Sequence, residues 1–200
     1  MIRTLSIAAV AAGLSACALL SSPDPVQMYR FGAAMDAPSG GEAAGAVDVA
    51  VRRVTFPESA EGDRILTVTG TEAAYLKGAR WVEPADRLFA AALEGAVANR
   101  GGRIRLIGAR DLAQGDVALD VDATTFETRY AAPGAAPVVV MTVRARLVGL
   151  PDREIEAERT FTVQTPAAEN RVAPIVAAYD AGSRDLAEQI AGWIESTARP

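Results

Sequence analysis

Apolar positions along this chain follow two periods, and the places where one gives way to the other outline the elements. Val47, Val49 and Val51 alternate with Asp48, Ala50 and Arg52, the period of a half-buried strand. Arg64 to Thr69 repeats that period, with Leu66 and Val68 on one side. Arg103 to Ile107 predicts a short strand, and Met28-Tyr29-Arg30-Phe31 a shorter β segment. Val117, Leu119 and Val121 oppose Asp120 and Asp122, yet Phe126 and Tyr130 have the other parity. A bulge or bend is therefore predicted near Ala123-Thr124. Val138 to Val148 and Ile155 to Val163 predict two long strands joined by the turn sequence Leu150-Pro151-Asp152-Arg153.

The helical period appears twice. Ala85, Leu88, Phe89, Ala92, Leu93, Ala96 and Val97 make one apolar stripe, which predicts a helix from Pro84 to Arg100. Pro84 suits its first position, where a missing N–H costs nothing. Gly101-Gly102 should stop it; a phosphate loop would precede a helix rather than follow one. Val172, Ile175, Val176, Tyr179, Leu186, Ile190, Trp193 and Ile194 keep a second stripe, for a helix from Ala173 to Thr197 that Gly182-Ser183 is expected to loosen. Asp36 to Gly45 and Pro57 to Gly62 read as loops. No internal repeat or domain linker interrupts the pattern. These elements predict one α+β domain: two long helices packed on one face of a mixed, mostly antiparallel sheet of about five to six strands.

The N-terminus changes the picture. Leu5 to Leu14 is an uncharged apolar run behind Arg3, of signal-peptide length and too short to span a bilayer, which takes roughly 20 residues. It closes on Leu14-Ser15-Ala16-Cys17, and Cys17 is the only cysteine. The stretch resembles the bacterial lipobox, in which the cysteine takes a diacylglyceryl group and becomes the new N-terminus. The alternative is an ordinary secretory signal with a cysteine there by chance. A lipobox divides the chain into a signal peptide, 1–16, a lipidated tether, 17–26, and one domain, 27–200. Losing Arg3 moves the formal charge from -5 to about -6. No cysteine is left for a disulfide. Ala18 follows the cysteine where an aspartate would signal inner-membrane retention, so the resemblance implies the periplasmic face of the outer membrane.

Composition then removes function classes. The acidic balance argues against nucleic acid and against a polybasic grip on lipid headgroups. With no histidine there is no Ser-His-Asp device and no imidazole metal ligand. Asp120 and Asp122 share a strand face; a carboxylate pair can bind a cation or move protons, but no third ligand sits at loop spacing, and period-two alternation explains them as a solvated face. Glu154, Glu156 and Glu158 read the same way, with a second use in discouraging edge-to-edge pairing. Nothing beside Tyr75 or Lys77 would lower either pKa. Trp81 and Trp193 suit either a membrane-interface or partner contact or core packing. No catalytic, metal or cofactor residue is assigned, and the only prosthetic group expected is the diacylglycerol and N-acyl lipid on Cys17.

Specific residues in order then carry a resemblance: the lipobox; Tyr29-Arg30-Phe31; the valine-rich strand before Pro57; Asp63-Arg64-Ile65; Ala74-Tyr75-Leu76; Arg80-Trp81; Glu83-Pro84 with Leu88-Phe89 and Leu93; Leu119 to Phe126; and Ala178, Tyr179, Leu186, Ile190 and Trp193-Ile194. The chain resembles the ABC-type transport auxiliary lipoproteins, the group that includes the lipoprotein of the paraquat-inducible MCE transport system. The resemblance implies a non-enzymatic outer-membrane lipoprotein. It would serve an MCE-domain protein and its ABC permease and ATPase, with phospholipid or another hydrophobic molecule as cargo, and it would form a homo-oligomeric ring. One face of that ring is expected at exposed valine-rich strand edges and Trp81. A structural or chaperone-like lipoprotein of an outer-membrane machine, of the lipopolysaccharide-assembly type, is the alternative.

Overall fold

A computed structural model describes residues 25–32, 46–100, 104–107, 117–150 and 152–198. Leu14, Ser15, Ala16 and Cys17, the loop at Asp36 to Gly45 and the stop at Gly101-Gly102 lie outside them. The described residues form eight strands and three helices: β1 (Gln27–Tyr29), β2 (Val47–Thr55), α1 (Glu58–Glu61), β3 (Arg64–Thr69), β4 (Glu72–Trp81), α2 (Ala85–Asn99), β5 (Ile104–Ile107), β6 (Val117–Tyr130), β7 (Val138–Gly149), β8 (Ile155–Pro166) and α3 (Val172–Thr197).

β6 is the spine of the sheet. One of its edges carries β7 and then β8, all antiparallel. Its other edge is shared: residues 117–122 pair with β2 and residues 128–130 with β3, both in parallel. β2 then carries β5 in parallel. β3 carries β4 through an antiparallel hairpin, and β4 carries β1 in parallel. The two longest pairings, of β6 with β7 and of β7 with β8, are antiparallel, but four of the seven are parallel. The sheet is thus larger and more mixed than the hydrophobic pattern predicts.

The predicted bulge is present. Register between β6 and β7 slips between Ala123 and Thr125, leaving Thr124 unpaired. Before the slip odd-numbered residues face the helices, and after it even-numbered ones do, so Leu119, Val121, Phe126 and Thr128 are all buried on one side. β2 has a second slip, between Val51 and Arg53.

Both long helices cover the same face. α2 buries Ala85, Leu88, Phe89, Ala92, Leu93 and Val97, and packs against β2, β5 and α3. Pro84 sits one residue before the helix, at its N-cap, rather than at its first position. α3 lies over β7 and β8 and runs unbroken from Val172 to Thr197. Gly182-Ser183 does not loosen it. A Cβ at Gly182 would stand 2.8 Å from Thr165 Oγ1, and the Ser183 hydroxyl is turned to Met141 Sδ at 3.7 Å. Small side chains there let helix and sheet approach closely.

Six of the eleven aromatic residues form one cluster between the layers. Phe31, Phe56, Trp81, Phe89, Phe126 and Tyr179 are linked by ring-centroid distances of 4.8 to 6.4 Å. The Thr128 hydroxyl donates to the Tyr179 hydroxyl at 3.2 Å, and full burial drives the Tyr179 pKa far above its ordinary value. Trp81 is 1% exposed, so it cannot present a ring face. It closes β4 opposite Tyr29, and T-shaped contacts to Phe31 and Tyr179 enclose it. β2 is a valine-rich edge only in part: β5 covers Val47 to Ala50, and from Val51 on β6 alone pairs with it among the described residues. Gly32, at φ 66°, passes so close to α2 that a Cβ would lie 2.5 Å from that of Ala92. Its N–H donates to Asp180 Oδ1 on α3 at 2.8 Å. The strand that follows the N-terminal segment is thereby pinned to both helices.

Candidate functional site

The face of the sheet away from the helices carries the charge. Asp48 of β2 accepts from Nε and one terminal nitrogen of Arg105 of β5, each at 2.8 Å. Arg52, the residue at the β2 slip, donates Nε to Asp120 Oδ1 at 2.8 Å and its second nitrogen to Asp120 Oδ2. Asp122 accepts from the Thr55 hydroxyl at 2.6 Å and from Arg146 at 2.5 Å, with Arg144 3.8 Å away. Pairing in β7 and β8 sets Arg146 opposite Asp120 and Glu158 opposite Arg146, so the signs alternate across the sheet.

This corrects the sequence expectation for one residue of the pair. Asp120 and Asp122 share a face as predicted, but Asp120 is not solvated: its side chain is 3% exposed, against 37% for Arg52. The slip in β2 re-aims Arg52 over β6 and covers it. The signal was present in the sequence. Val47, Val49 and Val51 have odd parity, Val54 and Phe56 even, the same change that betrays the bulge in β6.

Burial works to raise the Asp122 pKa, but the Thr55 hydroxyl and the Arg146 and Arg144 charges outweigh it and hold the carboxyl below its ordinary value. The Arg105 hydrogen bonds lower Asp48 in the same way. Folding stability from these groups is then present above the unfolded-state carboxylate pKa and is lost as pH falls through the depressed folded values. Urea melts should lose stability between about pH 5 and pH 2, and Asp122→Asn should flatten that loss. An unchanged acid dependence in the variant would show that Asp122 takes no part.

Asp120 and Asp122 are both committed to arginine side chains, and the lowered pKa of Asp122 suits it poorly as a proton acceptor. Among the described residues no three acidic or thiol side chains converge to hold a metal. Tyr75 is stacked under Arg64, whose guanidinium carbon lies 3.7 Å from the ring centroid. Glu154, just before the edge strand β8, and Glu156 and Glu158 within it are exposed, as expected. No helix among the described residues is long and apolar enough to cross a membrane.

Most of the apolar residues that carry the family resemblance are packing residues, while Tyr75, Arg64 and the Asp63–Arg80 pair lie at the surface. Trp81 and Phe126 meet around Phe31 and Tyr179, Tyr29 lies beside Trp81, Pro84 opens α2, and Leu88 is buried on it. Trp193 packs separately on Phe161 at 5.9 Å. A family profile described as ABC-type transport auxiliary lipoprotein component matches residues 29–191, which include the whole aromatic cluster. The chain belongs to the ABC-type transport auxiliary lipoprotein family. Solved structures agree on its fold. A crystal structure of a protein from Xanthomonas campestris superposes with TM-score 0.69 at 22% identity over 86% of this chain and 96% of that one. A crystal structure of an uncharacterized protein gives TM-score 0.66 at 16% identity over 85% and 99%. A PelC dodecamer from Paraburkholderia phytofirmans superposes only at TM-score 0.40, with 16% identity over 76% and 91%. No curated protein matches the auxiliary lipoprotein.

Proposed function

We propose that this auxiliary lipoprotein is a non-catalytic periplasmic subunit of an ABC/MCE system, anchored in the outer membrane through acyl chains on Cys17. That system moves phospholipid or another hydrophobic molecule between the two membranes, and the lipoprotein holds the distal end of its MCE conduit. The observation that carries this reading is the family match over 29–191, in which the matched residues are those that build the aromatic core. Energy comes from the ATPase, since this chain has no nucleotide motif. Docking on a ring-shaped conduit is simplest for a ring of this subunit, which needs two complementary faces.

The test is affinity purification of the tagged chain from detergent-solubilised membranes. Intact mass should show a diacylglyceryl and N-acyl increment, the MCE protein with its permease and ATPase should co-purify, and native mass spectrometry should show several copies. Cys17→Ser should leave the chain unlipidated and out of the membrane fraction, because the acyl chains supply about 0.8 kcal/mol per buried CH₂. Capture of a lipopolysaccharide-assembly component in place of the MCE protein would move the reading to the alternative machine. A strict monomer at concentrations where the MCE protein binds would end the ring.

A further inference from the structure

Among the described residues, four of the five large apolar side chains left exposed crowd one corner of the sheet: Val26 at 47%, Met28 at 46%, Val82 at 41% and Tyr75 at 37%. The fifth, Ile155, lies on β8 at the other end. Register explains the crowding. Met28 is opposite Arg80, and Arg80 is opposite Arg64, so three strands present one row on the face away from the helices. Val26 precedes Met28 by the strand period of two. Val82 follows the inward-facing Trp81, with its N–H bonded to the Tyr29 carbonyl at 2.7 Å. Tyr75 pairs with Leu66 and lies under Arg64. Arg30 is exposed at the end of β1, and Asp63 is the acid held by Arg80 at 2.8 Å. The patch is apolar, aromatic and cationic together.

The chain enters this corner from its N-terminal segment. Cys17 lies eight residues before Pro25, an extended reach of at most about 26–29 Å. We propose that the Val26, Met28, Tyr75 and Val82 corner rests on the phospholipid leaflet that holds the acyl chains of Cys17, so that anchor and patch together fix the orientation of the domain. The proposal rests on the reading of Cys17 as the lipidated residue. Val and Met enter the acyl boundary, Tyr sits at headgroup level, and the Arg64 and Arg30 stems lie along the surface with their heads at the phosphates. The acidic chain as a whole cannot grip lipid by charge, and it need not. A short tether keeps the leaflet at high effective concentration, so weak contact suffices. A second copy would have to compete with a surface always at hand. β8, roughly 24 Å across the sheet from β1 at five strand spacings, then carries Glu156 and Glu158 away from the leaflet.

Because Cys17 is the only cysteine and is blocked when acylated, single thiols can be placed at will. Val82→Cys and Glu188→Cys, the second exposed on α3, would each be labelled with an environment-sensitive dye in the full-length lipidated protein. The protein would be reconstituted in phosphatidylethanolamine–phosphatidylglycerol vesicles containing headgroup-level spin-labelled lipid. Quenching should be about threefold greater at position 82 than at 188, and adding Met28→Glu should remove most of the difference without changing the circular dichroism. Equal quenching at the two positions in lipidated protein would overturn the proposal alone. So would a dye at 82 that is already shielded in detergent in a concentration-dependent way, which marks a second copy as the occupant. Protein with no lipid mass increment would overturn the Cys17 reading and this proposal with it.

Discussion

Leu93→Asp should leave the chain without a cooperative fold. Leu93 is 1% exposed in the middle of α2 and faces the sheet and α3. Truncating a buried leucine costs about 2–5 kcal/mol through lost transfer energy and the cavity left behind. The aspartate adds a carboxylate with no cation on the helix-covered face, since the ion pairs of the sheet lie on the other side. That adds several kcal/mol more unless the group protonates, which itself costs stability at neutral pH. A domain with about 5–15 kcal/mol in all does not survive both terms, and no disulfide closes the chain. The control is Ala91→Asp, on the exposed side of the same helix, which changes helix propensity by a similar amount and buries nothing. Far-ultraviolet circular dichroism with urea melts should show a normal transition for Ala91→Asp and none for Leu93→Asp. A folded Leu93→Asp protein would mean that α2 is not held on the sheet by this stripe.

How far the fold could be read in advance depends on the strength of each local pattern. α2, α3, β6, β7 and the turn between β7 and β8 were legible because long side chains hold their period over many residues. In that turn Gly149 N–H donates to the Glu154 carbonyl at 2.9 Å, and Arg153 takes φ 62°. The Ala123-Thr124 bulge was legible from parity alone. β4 was not. Ala73, Ala74 and Ala79 blur the contrast between its two faces, and Gly78, at φ 73°, lies where pairing with β3 is broken between Arg64 and Leu66. The surviving clue was Thr69-Gly70-Thr71-Glu72, with Gly70 at φ 59° as the first central residue of a two-residue hairpin. The parallel pairings of β6 with β2 and β3 join segments far apart in sequence, and no local pattern encodes such partners. α1 is a single turn after Pro57, too short to show a period. The site divides in the same way. Asp120 and Asp122 were placed on the correct face by alternation, but solvation is set by what covers a residue. Here the cover comes from Arg52, 68 positions away.

That cover leads to the second large effect. Arg52→Ala should destabilise the domain by about 2–3 kcal/mol, although Arg52 itself is more than a third exposed. Breaking a buried pair by removing one partner costs about 3–5 kcal/mol when the survivor is left buried and uncompensated. The survivor is Asp120, in the central strand between β2 and β7, with 3% of its side chain open to water. Arg146 faces it across β7 but already holds Asp122. The partial exposure of Arg52 lowers the expectation from the top of that range, because water can reach the space it vacates. The converse change separates the cost of a lone charge from the worth of the pair. Asp120→Leu with Arg52→Met removes both charges and keeps apolar bulk over β6, and such replacements are often neutral or stabilising. The double variant should therefore unfold within about 1 kcal/mol of the wild type, while Arg52→Ala alone falls well below it. Urea denaturation of the three proteins at neutral pH measures this directly. An Arg52→Ala loss under about 0.5 kcal/mol, the size of an exposed pair, would mean that Asp120 finds water or Arg146 without help. A double variant as unstable as the single one would mean that the pair holds β2 in register at its slip, and that the geometry of the two side chains matters more than their charge.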